Sequence, residues 1–356
     1  MWPFLLIGSS FTTAAVLSGR RSPHPVAWIV AFIALTLFVG LRHNVGMDWN
    51  NYLRMIWKVT VIQDYSSLFL VSEIGYALLL VLGDKSGYGI YGVNLLTTLV
   101  FMAGLFCYAR RTPEPWIALV VALPFYVMVF AMSANRQALA AGILIWLLAY
   151  WQTSSILKRF IWIIFAALFH ISALLMLAFV VSSMTANRLV KIVVPGFVLM
   201  VALGILLFTN IGEYYAVSYL ASGTVESEGA LLHVSLNALP AMLYFLFPSQ
   251  RSRLFPTTVL KHMAFAAVAM LPLALISSVT AGRLSLYLFP VSLWVFAALP
   301  SCVAPKYRVL IRTLIATSMM AVMLVWLNFA NSAHAHLPYR NALLIPSWEL
   351  EIGILP

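Results

Sequence analysis

Apolar runs recur along the whole chain and are parted only by short polar clusters, so hydrocarbon is the solvent this polypeptide is built for. Hydrophobic residues make up 63% of it, charged residues 9%, and the mean hydropathy is +0.98, well outside the range of a water-soluble domain. In hydrocarbon every backbone N–H and C=O must be satisfied internally. The runs lack the short alternation of an outer-membrane barrel strand, so they are helices. The length accommodates roughly ten to twelve spans of about 20 residues each. The expectation is an all-α polytopic membrane protein: one transmembrane bundle over residues 1–356, without a soluble domain. Residues 1–17 read as a retained first span, because no basic region precedes them and no small-residue cleavage pattern follows.

The net charge of +11 does not point to nucleic acid, because the basic residues fall in short clusters between apolar runs and do not interleave with aromatics along a polar surface. They read as topology signals. Arg20 and Arg21, Arg110 and Arg111, Lys158 and Arg159, Arg188 and Lys191, Arg251 and Arg253, and Lys306 with Arg308 and Arg312 mark cytoplasmic loops. Parity then places residues 42–67 outside as a polar loop, together with the acidic loop of Glu213, Glu226 and Glu228 and the tail 331–356. Arg136, between spans 116–134 and 138–151, and Arg283, after span 262–280, also fall outside. Two segments strain the count. Residues 160–183 start and end beside cytoplasmic clusters, which a re-entrant pair of half-helices meeting at His170 would repair. Residues 68–82, with Glu73, are too short for a span and read as interfacial or re-entrant from outside.

External arginines run against the positive-inside bias. Each is either a snorkelling anchor or an anion clamp, since a guanidinium presents a fork of donors matching phosphate oxygens. At Arg136 a helix N-terminus would add to the attraction for an anion. A third reading pairs each arginine with an external carboxylate such as Asp48, Glu73 or Glu213. His170 suits either a helix-to-helix hydrogen bond or proton transfer beside a phosphate. The densest polar cluster is Arg42-His43-Asn44-Val45-Gly46-Met47-Asp48-Trp49-Asn50-Asn51-Tyr52. One reading is a turn at Gly46 into a helix capped by Asp48. The other is a sugar site, with carboxylate and amides for hydroxyls and Trp49 and Tyr52 for the apolar face of a pyranose, Asp48 being a general base.

Cys107 and Cys302 lie in or beside apolar segments and form no disulfide framework or metal site. Gly87-Tyr88-Gly89-Ile90-Tyr91-Gly92 matches a dinucleotide fingerprint by letters, but no strand precedes it. His334 and His336 have no third ligand in view, and no Walker A, zincin or nucleophile-elbow sequence occurs, so neither a metal nor a cofactor is expected.

Gly46-Met47-Asp48-Trp49-Asn50-Asn51-Tyr52, Glu73-Ile74-Gly75-Tyr76, Asn135-Arg136-Gln137-Ala138-Leu139-Ala140 and Phe169-His170-Ile171-Ser172-Ala173 occur in that order. With Gly282-Arg283 through Tyr287 and Pro338-Tyr339-Arg340, they resemble the EpsG-like branch of the Wzy polysaccharide repeat-unit polymerases over residues 39–340. The resemblance implies a glycosyltransferase C-like enzyme of the bacterial inner membrane with its site facing the periplasm. Its substrate would be an undecaprenyl-pyrophosphate-linked oligosaccharide, and a partner protein could set chain length. By matched motif, Arg136, Arg283, His170 and Asp48 would be catalytic, and Arg42, Trp49, Tyr52, Gln137, Tyr287 and Arg340 would bind substrate. A lipid-linked oligosaccharide ligase would use the same carrier with another acceptor. A flippase would need internal repeats, and none is evident.

Overall fold

The chain is helical because its backbone has no other partner in lipid, and its helices are sorted by what they face. The computed structural model describes residues 1–18, 23–62, 67–68, 71–182, 230–276 and 278–350. Arg20, Arg21, Arg188, Lys191, the expected span 190–210 and the acidic loop with Glu213, Glu226 and Glu228 lie outside the described residues. The helices are α1 Trp2–Ser18, α2 Pro25–Gly40, α3 Trp49–Val61, α4 Ile74–Lys85, α5 Gly89–Ala109, α6 Pro115–Ala122, α7 Asn135–Ala149, α8 Ile156–Ala167 and α9 Leu177–Ser182. After the undescribed stretch follow α10 Ala230–Leu246, α11 Thr258–Ile276, α12 Ser278–Ser285, α13 Phe289–Ala298 and α14 Arg308–Phe329.

Among the described residues four helical stretches are long and apolar enough to cross a membrane: Gly89–Ala109, Thr258–Leu275, Ala281–Cys302 and Pro305–Phe329. Other apolar helices run only 10–17 residues. With its long apolar helices the chain is a multi-pass membrane protein. Several helices fall short of the expected length of about 20 residues, and the break expected between spans 116–134 and 138–151 falls at Ala134, between Pro115–Ala131 and Asn135–Ala149.

The centre is α6 and its π-helical continuation Leu123–Ala131, in which all but Val129 are buried. A helix apolar all round belongs in a core. Around it pack α1, α13 and α14, while α7 lies along α5. That last crossing is glycine-made. A Cβ on Gly104 would fall 2.0 Å from the Gly142 carbonyl oxygen, and one on Gly142 would fall 2.5 Å from the Phe101 Cα. Small residues let helix backbones approach closely in a bilayer, where burial of apolar surface between helices gives little drive. The crossing sets the height of the α7 N-terminus, where Arg136 sits.

Clusters that parity assigns to one side do meet at one end. Arg111 lies over the Tyr150 ring, Arg159 over Trp151, and Arg253 donates to the Ser301 carbonyl. There Arg312 pairs with Glu114 through two hydrogen bonds of 2.6 and 2.9 Å, both side chains being buried. At the opposite end the loop 41–47 joins the tail: His43 N–H donates to Arg340 O at 3.0 Å, Gly46 N–H to Ala335 O at 2.8 Å, and Ala342 N–H to Leu41 O at 2.7 Å.

Candidate functional site

Five elements end at that second face: the N-termini of α3, α4 and α7, the break after α8, and the end of α12. Glu73 immediately precedes α4, with its backbone extended, and its carboxylate is turned away from its own helix. One oxygen accepts from Arg136 Nη1 at 2.9 Å and the other lies 3.0 Å from His170 Nδ1. Ser72 Oγ donates to Glu73 at 2.9 Å, and Arg136 Nη1 reaches the same hydroxyl at 3.4 Å. Burial opposes the Glu73 charge, but the His170 hydrogen bond and the Arg136 cation outweigh it and hold the carboxyl well below the usual range. The Glu73 and His170 side chains are each 13% exposed, whereas Arg136 keeps 32% of its side chain open. The sequence alternative of an arginine–carboxylate pair is therefore realised, yet about a third of the Arg136 side chain stays open.

His170 is where the sequence placed the break. Its backbone is extended between α8 and the 3-10 turn Ile171–Met176, and α9 packs back on α8. Gly75 secures the junction. Its N–H donates to Leu168 O at 2.9 Å, and a Cβ there would fall 2.8 Å from the same oxygen. Thus α4 and the break are locked together, which is how Glu73 meets His170.

Arg283 lies in the last turn of α12, where a cation suits the helix dipole. Its carbonyl accepts from Gln137 Nε2 at 3.0 Å, and the Tyr287 hydroxyl meets Ser172 Oγ at 2.9 Å. Asn237 donates to the Ser285 carbonyl at 2.7 Å and accepts from Ser292 at 2.9 Å, anchoring this corner. The Arg136 and Arg283 charges both bear on His170 and on Asp48.

Gly46 makes the expected turn, at φ 107°, and only glycine fits, since a Cβ would fall 2.0 Å from Met132 O. The expected cap does not form. Asp48 precedes α3 at φ −97°, ψ 9°, outside the extended conformation a capping side chain needs, and its carboxylate accepts from Asn51 Nδ2 at 3.2 Å instead. Burial pushes the Asp48 carboxyl up, against the pull of Asn51, Arg136 and Arg283.

The residues expected to bind substrate divide. Gln137 and Tyr287 brace the cluster as described. Tyr52 is buried against Tyr76, and its hydroxyl accepts the Arg136 N–H at 3.4 Å. Trp49 and Arg340 line a separate cavity, and Arg340 pairs with Glu349. Arg42 departs from the expectation. It is 1% exposed, donating to Val39 O at 2.7 Å, Val45 O at 3.1 Å and Asn135 Oδ1 at 2.6 Å. The carbonyls freed at the end of α2 draw the guanidinium inward, so it ties α2 to α7 and reaches no ligand. Sequence reasoning missed the central role of Glu73 and the hydroxyls of Ser72 and Ser172. An available signal was the rarity of acids: the chain has ten, and one of them immediately precedes a 12-residue helix.

Among the described residues no group of three or more His, Cys, Asp or Glu side chains is arranged to hold a metal ion. No curated protein and no solved structure matches the chain. The model of the EpsG family matches residues 26–341, nearly the whole sequence, and the chain belongs to the EpsG family, a Wzy-like polymerase family.

Proposed function

We propose that this protein polymerises a surface polysaccharide, moving a growing glycan from undecaprenyl pyrophosphate to a sugar hydroxyl of an incoming lipid-linked repeat unit at the periplasmic face of the inner membrane. The observation that carries the reading is the cluster itself: Arg136 and His170 meet on Glu73, and Gln137, next to Arg136, holds the Arg283 carbonyl, all at one end of an apolar bundle with Asp48 under the charges of both arginines. The leaving group of such a transfer is a pyrophosphate, and fixed cations in a water-poor site are worth most where charge develops.

The chemistry follows from the placement. The acceptor hydroxyl oxygen attacks the anomeric carbon of the donor glycan, and its proton passes to the Asp48 carboxylate. The bond from that carbon to the pyrophosphate oxygen breaks, and the electron pair leaves with the phosphate. Arg136 and the α7 N-terminus hold one side of the pyrophosphate and Arg283 the other. Glu73 keeps the hydrogen on His170 Nδ1. An arriving pyrophosphate favours the imidazolium, whose Nε2–H then donates to the leaving oxygen.

Asp48→Asn is expected to lower the transfer rate about 10²–10⁴-fold, the usual contribution of a general base. The sign of the pH dependence follows from burial. The raised carboxyl must lose its proton to work, so the wild-type rate falls on the acid side through a value above the ordinary one of about 3.9, and the variant lacks that limb. The reading as a whole is tested by deleting the gene and examining surface polysaccharide on gels. Molecules bearing a single repeat unit are expected. Complete loss, first unit included, would indicate export or ligation and sink it.

A further inference from the structure

A cavity of about 410 Å³ opens beside the cluster, between the loop before α3 and the C-terminal tail. Its volume falls in the ordinary range for small-molecule sites, about 300–1,000 Å³. Asn44, Trp49, Asn50, His334 and Arg340 give it amide, indole, imidazole and guanidinium groups, and among the described residues no carboxylate lines it. Such a lining does not suit a lipid tail.

The walls are built to persist. Besides the three backbone hydrogen bonds that clip the loop to the tail, the Tyr339 hydroxyl donates to Phe38 O at 2.6 Å, and the two rings stack at 4.2 Å. Met47 N–H donates to Ser133 Oγ at 3.2 Å. The Trp49 indole is steadied by His43 at 5.9 Å and Tyr91 at 6.0 Å. Among the described residues the Arg340 side chain is held by an exposed ion pair to Glu349, weak enough for a ligand to compete with.

The position matters as much as the chemistry. Met47 and Trp49 both line the cavity, and Asp48 lies between them. The same Asp48 carboxylate feels Arg136 and Arg283 from the cluster. It therefore stands in the chain beside the polar cavity while feeling the two arginines of the cluster.

We propose that this cavity binds a pyranose ring of the acceptor glycan, with its hydroxyls on Asn44, Asn50, His334 and Arg340 and the edge of the buried Trp49 forming part of the wall. This assignment rests on the transfer reading above, because it makes Asp48 the border between acceptor sugar and donor pyrophosphate. An amide is well matched to a hydroxyl, since it donates and accepts at once.

The test uses the full-length protein in lipid nanodiscs and, as probe, the lipid-free repeat-unit oligosaccharide released by mild acid from the producing strain. Saturation-transfer NMR and calorimetric titration measure binding, and thermal unfolding checks each variant. Asn50→Ala and Arg340→Ala should each weaken binding about fivefold, the typical effect of one lost hydrogen bond. Arg136→Lys should bind the probe as the wild type does. If Arg340→Ala fails to fold, the exposed Asn50 position decides alone. No binding by the wild type, wild-type affinity in Asn50→Ala, or loss of binding in Arg136→Lys would each overturn the assignment. The two readings fail separately: full-length polymer made by the deletion strain would sink the transfer reading without touching the binding result.

Discussion

Arg136→Lys is expected to insert and accumulate like the wild type while its cells carry surface polysaccharide shortened to single repeat units. The reason lies in the two demands on this side chain. One nitrogen, Nη1, is already given to Glu73 at 2.9 Å and to Ser72 at 3.4 Å. A guanidinium has five donors in a planar fork and can meet a phosphate with the rest. A lysine ammonium is a point charge on a flexible stem. It can keep the Glu73 pair and so the fold, but it cannot hold the pyrophosphate in the same geometry. Loss of one such donor set in other transfer sites costs about 10²–10³-fold in rate, roughly 2.7–4 kcal/mol. Immunoblots of membranes and polysaccharide gels read the two outcomes together. A wild-type ladder in this variant would return Arg136 to an anchoring role.

Glu73→Gln should have the second largest effect, and it separates positioning from charge. Glu73 is the one group that touches both Arg136 and His170, and its placement depends on the Gly75–Leu168 contact. The glutamine keeps the shape but removes the acceptor charge from both neighbours at once. A stability loss of about 1–3 kcal/mol is expected for leaving buried partners unmatched. A drop in turnover of about 10²-fold or more should accompany it, with little change in KM, because the misplaced groups act on the leaving group. The pH dependence has a definite sign. The Glu73 carboxyl is held down in the folded protein, so its stabilisation is complete above its unfolded value, about 4.3, and fades only as pH falls below that. Wild type and variant should therefore differ most at neutral pH and converge in strong acid. Normal turnover in a folded Glu73→Gln protein would show that the dyad with His170 has no part in the reaction.

Much of this architecture was legible in the sequence because the solvent dictates it: an apolar chain in hydrocarbon has only helices open to it. The break at His170 was legible too, since it disturbed the count of crossings. Contacts between distant segments were not. Arg42 sits in a polar cluster and reads as a ligand residue, but only the fold reveals that the carbonyls of Val39 and Val45 and the amide of Asn135 surround it. The crossing of Gly104 on Gly142 and the cavity shared by Trp49 and Arg340 likewise join parts of the chain that no local pattern relates. Asp48 shows the reverse limit. Its letter and place suggested a helix cap, and one backbone angle turned the carboxylate toward other work.

The central claim is that this bundle transfers glycan between lipid carriers, and the most direct measurement is reconstitution. Purified protein in nanodiscs would be given a single lipid-pyrophosphate-linked repeat unit and no nucleotide sugar, and the products resolved by size. The expected result is a ladder of lipid-linked chains with release of undecaprenyl pyrophosphate in step with each added unit, absent from Arg136→Lys. Substrate left at one repeat unit by a folded wild-type protein would contradict it, whereas a ladder of equal strength from Arg136→Lys would remove only the role given to that side chain.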